Sequence, residues 1–207
     1  MRIQSLFEEK LNSLTHAIGA FFGLIGLVLL IYFDTSKTPY SFFSVVTYGS
    51  SVVLLFTASA IYHLVTNEKR KYYFRIIDHI SIYFLIAGTY TPVLLITLVD
   101  SHGWTLFYTV WAIAAFGVVL KLFFTGKYEL FSTLLYLAMG WLIVFDFFPL
   151  YEQITEGICF LISGGISYTA GVIFYISTSL KYNHVIWHLF VLIGALCHFI
   201  MIFNYII

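Results

Sequence analysis

The sequence predicts an all-α membrane protein, a single seven-transmembrane helix bundle over residues 1–207 with its N-terminus in the cytoplasm and its C-terminus outside. Three observations carry this. Apolar residues make up 61% of the chain and charged residues only 10%, with a mean hydropathy of +0.95. A soluble domain carries about 25% charged residues, so a water-exposed globule of this composition would precipitate. Long stretches free of Asp, Glu, Lys and Arg recur along the chain, most of them near the roughly 20 residues that cross a bilayer. Basic residues, finally, collect in alternate connections. The composition also excludes other classes. Ten Lys and Arg against ten Asp and Glu leave no basic excess for nucleic acid. Two cysteines exclude a disulfide scaffold, and 22 Phe, 16 Tyr and three Pro exclude a disordered or collagenous chain.

The spans are expected over residues 15–33, 40–65, 76–99, 103–124, 129–149, 157–180 and 183–206. Continuously apolar runs favour helices over the alternation of a barrel. The first span extends back through His16 and Thr15, behind a short amphipathic segment (Ile3, Leu6, Phe7, Leu11). Glu8 and Glu9 stand where a signal peptide would be basic, and no small-x-small cleavage site follows, so this span is expected to be retained. In the third span, Thr89-Tyr90-Thr91-Pro92 predicts a kink, because Pro92 removes a helix hydrogen bond. The fifth is short of charge-free residues and is expected to run past Asp146 to Pro149. Gly164, Gly165 and Gly171 in the sixth predict close helix contact. Trp104, Trp111, Trp141 and Trp187 lie mostly towards span ends, as in an aromatic belt. Cys159 and Cys197 fall within spans and read as ordinary packing. The connections are short, leaving no room for a soluble domain.

Orientation follows from loop charge. Arg2, Lys10, Lys69, Arg70, Lys71, Arg75, Lys121, Lys127 and Lys181 lie on one side, and only Lys37 on the other. The positive-inside rule puts the first side in the cytoplasm.

Polar residues within spans are costly and usually functional. They are His16, Ser59, His63, Asp78, His79, Asp146, His184, His188 and His198. Span direction sorts them. The second span ends, and the third and seventh begin, at the cytoplasmic side, so His63, Asp78, His184 and His188 share one membrane depth. His184 and His188 are four residues apart, on one helix face, and two imidazoles so spaced can grip one ion. With His63 they make three protein ligands plus an open position, the pattern of a catalytic zinc. Zinc suits imidazole, and no thiolate is near. Ser59 lies one turn from His63 on the same face. Asp78 can accept a hydrogen bond from a metal-bound water, orient a ligand, or serve as fourth ligand of a structural metal. The pair His184 and His188 also fits plain interhelical hydrogen bonding, worth about 0.6–2 kcal/mol per bond. His198 lies about 15 Å along the helix from His188 and reads as a hydrogen-bonded core residue. His79 points about 100° away from Asp78 and reads as solvent-facing or interfacial. Asp146 reads as interfacial and His102 as solvated.

The chain resembles the haemolysin III family, within the wider group of progestin and adiponectin receptors and alkaline ceramidases. The residues that carry the likeness are Glu9-x-x-Asn12-x-x-Thr15-His16-x-x-Gly19, Ser59-x-x-x-His63, Asp78, Ala87-Gly88-Thr89-Tyr90-Thr91-Pro92, Met139-Gly140-Trp141, Gly164-Gly165-x-x-Tyr168-Thr169-x-Gly171 and His184-x-x-x-His188. The resemblance implies seven helices in a bacterial inner membrane, a Zn2+ ion on His63, His184 and His188, and Asp78 and Ser59 beside the metal and its water. It also implies hydrolysis of lipid amides or esters as in the ceramidase-like relatives, with Asp78 as general base and Ser59 binding the oxyanion or water. The partners are then membrane lipids and a lipid substrate. The alternative is a non-enzymatic membrane-active protein, a lytic factor, pore or regulator of membrane state, with a structural zinc. A metal transporter ranks last, since only His198 hints at a second station along a path.

Overall fold

The computed structural model describes residues 4–207. Arg2 and Ile3, counted above in the basic side and the amphipathic segment, lie outside the described residues. Seven helical spans, Leu6–Phe33, Ser41–Leu64, Glu68–Thr97, Gly103–Phe124, Glu129–Gln153, Ile158–Ile176 and Asn183–Ile206, are long and apolar enough to cross a membrane, and no strand occurs among the described residues. The chain is therefore an all-helical, multi-pass membrane protein. Its outer surface is rich in exposed large apolar side chains such as Phe21, Phe22, Phe123, Phe145 and Phe148. Lipid tails, unlike water, accept such a surface without penalty.

The first helix, α1 (Leu6–Phe33), is continuous through the segment expected to precede it. Ser5 and Glu8 form a capping box: Glu8 N–H donates to Ser5 Oγ at 3.3 Å, and Ser5 N–H donates to the Glu8 carboxylate at 2.8 Å. The box satisfies the first orphan donors and starts the helix early. At 28 residues, α1 spans about 42 Å and outruns the roughly 30 Å hydrocarbon layer. Glu8, Asn12, Ser13, His16 and Gly19 are buried in it at helical spacing, a polar stripe turned inward at one end. Ser13 Oγ donates across to Ala60 O of α2 (Ser41–Leu64) at 2.9 Å.

Helix α3 (Glu68–Pro92) also starts earlier than expected, because Asn67 caps it by accepting from Arg70 N–H at 3.1 Å. It packs on α2 so tightly that a Cβ on Gly88 would stand 2.2 Å from Ser51 Oγ. Beyond Pro92 the helix widens into a π turn, Val93–Thr97, closed by Leu98 N–H donating to Val93 O at 3.0 Å. The α register thus ends at the proline, which has no N–H to continue it.

Helix α4 (Gly103–Phe124) is followed by a span in three pieces. Helix α5 (Glu129–Gly140) stops at Trp141, a 3-10 turn covers Leu142–Asp146, and α6 (Phe147–Gln153) completes the crossing four residues past Pro149. Tyr90 pins the break: its Oη donates to Gly140 O at 2.8 Å and accepts from Ile143 N–H at 2.9 Å. The sixth and seventh spans, α7 (Ile158–Ile176) and α8 (Asn183–Met201, extended by a π turn Ile202–Ile206), pair closely. A Cβ on Gly164 would meet the His198 ring at 2.4 Å, and one on Gly171 would meet Phe190 and Trp187 at 2.8 Å. Gly165 instead faces Trp141 at an ordinary 3.9 Å.

The connections gather at two ends. At the far end, Asp146 is 2% exposed rather than interfacial. It accepts from Ser101 Oγ at 2.9 Å and from His102 N–H at 3.2 Å, and His102 Nδ1 lies 3.1 Å away. The turn before α4 needs an acceptor for these donors, so the carboxylate is drawn in while the His102 ring stays exposed. The basic end holds the starts of α1, α3, α5 and α8 and the ends of α2, α4 and α7.

Candidate metal centre

At the basic end, the last turn of α2 and the first two turns of α8 bring His63, His184 and His188 together. One ligand nitrogen from each lies within 4.8 Å of the others. Their ring centroids are 5.0 Å (His63 to His184), 5.0 Å (His63 to His188) and 4.6 Å (His184 to His188) apart. Three imidazoles thus converge on one point, a placement that the i, i+4 spacing in α8 and the direction of α2 allow and the packing of α2 near α8 completes.

The other ring nitrogens show which atoms are free to ligate. His63 Nδ1 is 2.7 Å from Glu9 Oε2, and the same carboxylate oxygen holds Lys71 Nζ at 3.0 Å. His63 Nε2 is buried and has no hydrogen-bond partner among the described residues. In α8, His188 Nδ1 is 3.1 Å from Asn12 O and 3.3 Å from Thr15 Oγ1. A neutral imidazole that donates from Nδ1 presents the lone pair of Nε2. Carboxylate and carbonyl partners of this kind fix the tautomer of metal-binding histidines and raise their basicity. The donor set, with a buried and otherwise unanswered Nε2 on His63, therefore fits a divalent cation.

Glu9 and Asn12 had no role assigned from sequence, although both stand in the stretch Glu9-x-x-Asn12-x-x-Thr15-His16. Spacing of three and four there marks one face of α1, and that face backs the histidines. His16 also belongs to it. Its buried ring stacks on His188 at 3.6 Å between centroids and 7° between planes, and both its nitrogens lack hydrogen-bond partners among the described residues.

Asp78 and Ser59 are buried on the wall beside the three histidines. Ser59, near the end of α2, and Asp78, in α3, line the cavity together with the three histidines. His79 departs from the sequence reading: it is 5% exposed, with Nδ1 3.9 Å from Glu129 Oε2. The 100° step from Asp78 turns it towards α5 and not outward, because α3 is covered by neighbours on most sides. His198 is a packed histidine, as expected, with Nε2 3.3 Å from Leu161 O.

The three converging histidines, Glu9, His16, Ser59, Asp78, His79 and His198 border one cavity of about 600 Å³. It runs from Glu9 and His63 at the basic end past Asp78 and Tyr136 to Trp141 and His198 deep in the bundle.

A family model described as Haemolysin-III related matches residues 4–199. The chain belongs to the haemolysin III-related family. It is 42% identical over 206 residues to the protein named Hemolysin-3 of Bacillus cereus, covering 99% of this chain and 94% of that one. It is also 42% identical over 200 residues to the Hemolysin-3 homolog of Bacillus subtilis (strain 168), covering 96% and 94%. The human protein named monocyte to macrophage differentiation factor is 29% identical over 208 residues, covering 96% of this chain and 84% of the relative. In this haemolysin III-related chain, the matched segment contains all three converging histidines, Glu9, Ser59 and Asp78.

Proposed function

We propose that this haemolysin III-related protein is a zinc-dependent hydrolase of acyl lipids in the bacterial inner membrane, with the metal near the cytoplasmic face. One observation carries the reading: three imidazoles, those of His63 and His188 buried and that of His184 partly so, converge at the head of a cavity large enough for an acyl chain, with Asp78 and Ser59 also lining it. The basic end corresponds to the cytoplasmic side by the positive-inside rule.

His63, His184 and His188 would hold the ion, each offering one ring nitrogen. Zinc, when bound at such a site, supplies Lewis acidity and lowers the pKa of a coordinated water towards about 7. Glu9 and the Asn12 carbonyl keep His63 and His188 in the ligating tautomer. Asp78 stands within the site as the base that takes the proton of the attacking water and returns it to the leaving amine or alcohol. Ser59 orients that carboxylate and offers a hydroxyl to the oxyanion. Apolar residues such as Leu137, Val172 and Val191 border the cavity and suit the acyl chain.

Purified protein is expected to hold about one zinc per chain, and His188→Ala to lose both metal and turnover of an acyl amide. Turnover that persists in the metal-free variant refutes the mechanism. The names of the Bacillus relatives favour a second reading, a membrane-active protein whose metal is structural. Liposome leakage that survives loss of the three histidines, with no hydrolysis of any acyl substrate, selects it.

A further inference from the structure

Next to the three imidazoles, α3, α4 and α5 enclose a second polar group centred on Glu129. Arg75 Nη2 donates to Glu129 Oε1 at 3.1 Å, Lys121 Nζ donates to Oε2 at 3.0 Å, and Gly126 N–H donates to Oε1 at 2.8 Å. Lys121 is 2% exposed, so its ammonium depends on this carboxylate. One carboxylate thus answers two cations, and Arg75 carries the remainder. Arg75 Nε is buried and has no hydrogen-bond partner among the described residues. One turn along α3, His79 Nδ1 is likewise buried and without a hydrogen-bond partner. A buried donor left unmet is costly, more so on a charged group.

Arg75, His79, Gly126 and Glu129 border the same cavity as His63 and Asp78. The carboxylates facing this region are few. Glu9 is occupied by His63 and Lys71, Glu129 is occupied by Arg75 and Lys121, and Asp78 lines the same cavity without an ion pair to Arg75 among the described residues. None of these carboxylates meets Arg75 Nε, so a cationic donor is left unanswered at the head of the cavity whether or not an ion is bound. We infer that Arg75, assisted by His79, forms a second subsite in this cavity for the anionic group, carboxylate or phosphate, of an acyl lipid whose scissile carbonyl lies at the three histidines. This rests on the hydrolase reading and narrows its substrates to anionic acyl lipids. Arginine suits the role, because its planar fork pairs with either oxyanion through two parallel hydrogen bonds.

The test uses the full chain in detergent, stripped of metal with a chelator so that no ion competes for the anion. Dodecanoate, dodecyl phosphate and neutral dodecanamide each displace a fluorescent acyl probe. Both anions are expected to bind about tenfold more tightly than dodecanamide, and the tighter of the two identifies the preferred head group. Arg75→Gln is expected to lower anion affinity about tenfold while dodecanamide binding is unchanged, which also shows that the variant is folded. Arg75→Lys, which keeps the charge, is expected to recover most of the loss. Equal affinity for the three probes, anion binding unchanged in Arg75→Gln, or Arg75→Lys no better than Arg75→Gln overturns the subsite. Turnover with zinc restored is read separately. Charge-selective binding with no hydrolysis leaves the subsite and removes the hydrolase, and hydrolysis without charge-selective binding does the reverse.

Discussion

The Glu9 carboxylate joins three helices through a single oxygen, taking His63 of α2 at 2.7 Å and Lys71 of α3 at 3.0 Å while standing on α1. Loss of such a partner costs 10–100-fold in metal affinity in comparable sites. Glu9→Ala is accordingly expected to weaken zinc binding by about that factor, measured by competition with a chelating dye, while His63, His184 and His188 remain in place. A zinc affinity equal to wild type would show that the His63–Glu9 contact does not tune the metal. X-ray absorption on the zinc-loaded protein is expected to count three imidazole nitrogens; a fourth would bring in His16, which stacks on His188 with both nitrogens unmet. His63, His184 and His188 were legible because spacing and span direction alone put them at one depth. Glu9 was not, since its partner lies 54 residues away and the contact exists only once α1 and α2 pair. His79 was misread for the same reason. Its angle from Asp78 is a property of one helix, but what waits in that direction belongs to α5.

At the scale of helices, glycines decide which pairs close. Gly164→Ala pushes a methyl to 2.4 Å from the His198 ring, and overpacking of this kind costs about 1–3 kcal/mol. Gly140→Ala meets nothing within 4 Å and is the control. Thermal unfolding in detergent should show the first variant clearly destabilised and the second near wild type; equal melting points would mean that α7 and α8 shift freely. Tyr90→Phe removes both hydrogen bonds at the break between α5 and the following 3-10 turn. It is expected to lower stability by about 1–3 kcal/mol, the cost of buried backbone groups left unmet, read in the same melts. The composition announced seven helices of the right kind, and Gly164 and Gly171 their close pairing. It did not announce the break at Trp141, since residues 130–145 carry no proline or charge to mark it. The early starts of α1 and α3 were present as Ser5 with Glu8 and as Asn67, but a search for charge-free runs passes over capping residues.

For the whole molecule, the distribution of basic residues predicts which end faces the cytoplasm. With Cys159 and Cys197 replaced by Ala, Asp34→Cys is expected to react with a membrane-impermeant thiol reagent applied outside intact spheroplasts, and Lys127→Cys only after lysis. The opposite pattern reverses the assignment and moves the metal to the outer leaflet. The same axis orders the cavity, with the histidines and the Glu129 cluster at the basic end and Trp141 and His198 far from it.

Composition and charge by themselves determined a seven-helix membrane bundle and its expected direction, because crossing a bilayer constrains every residue type locally, one segment at a time. The sequence also determined that three imidazoles could share a depth. Only the tertiary structure decided that their nitrogens meet, that Glu9 and the Asn12 carbonyl stand behind them, and that Arg75, His79 and Glu129 adjoin the same cavity. These are contacts between helices far apart in the chain. Lateral packing, unlike depth, leaves no period in the sequence of any one of them.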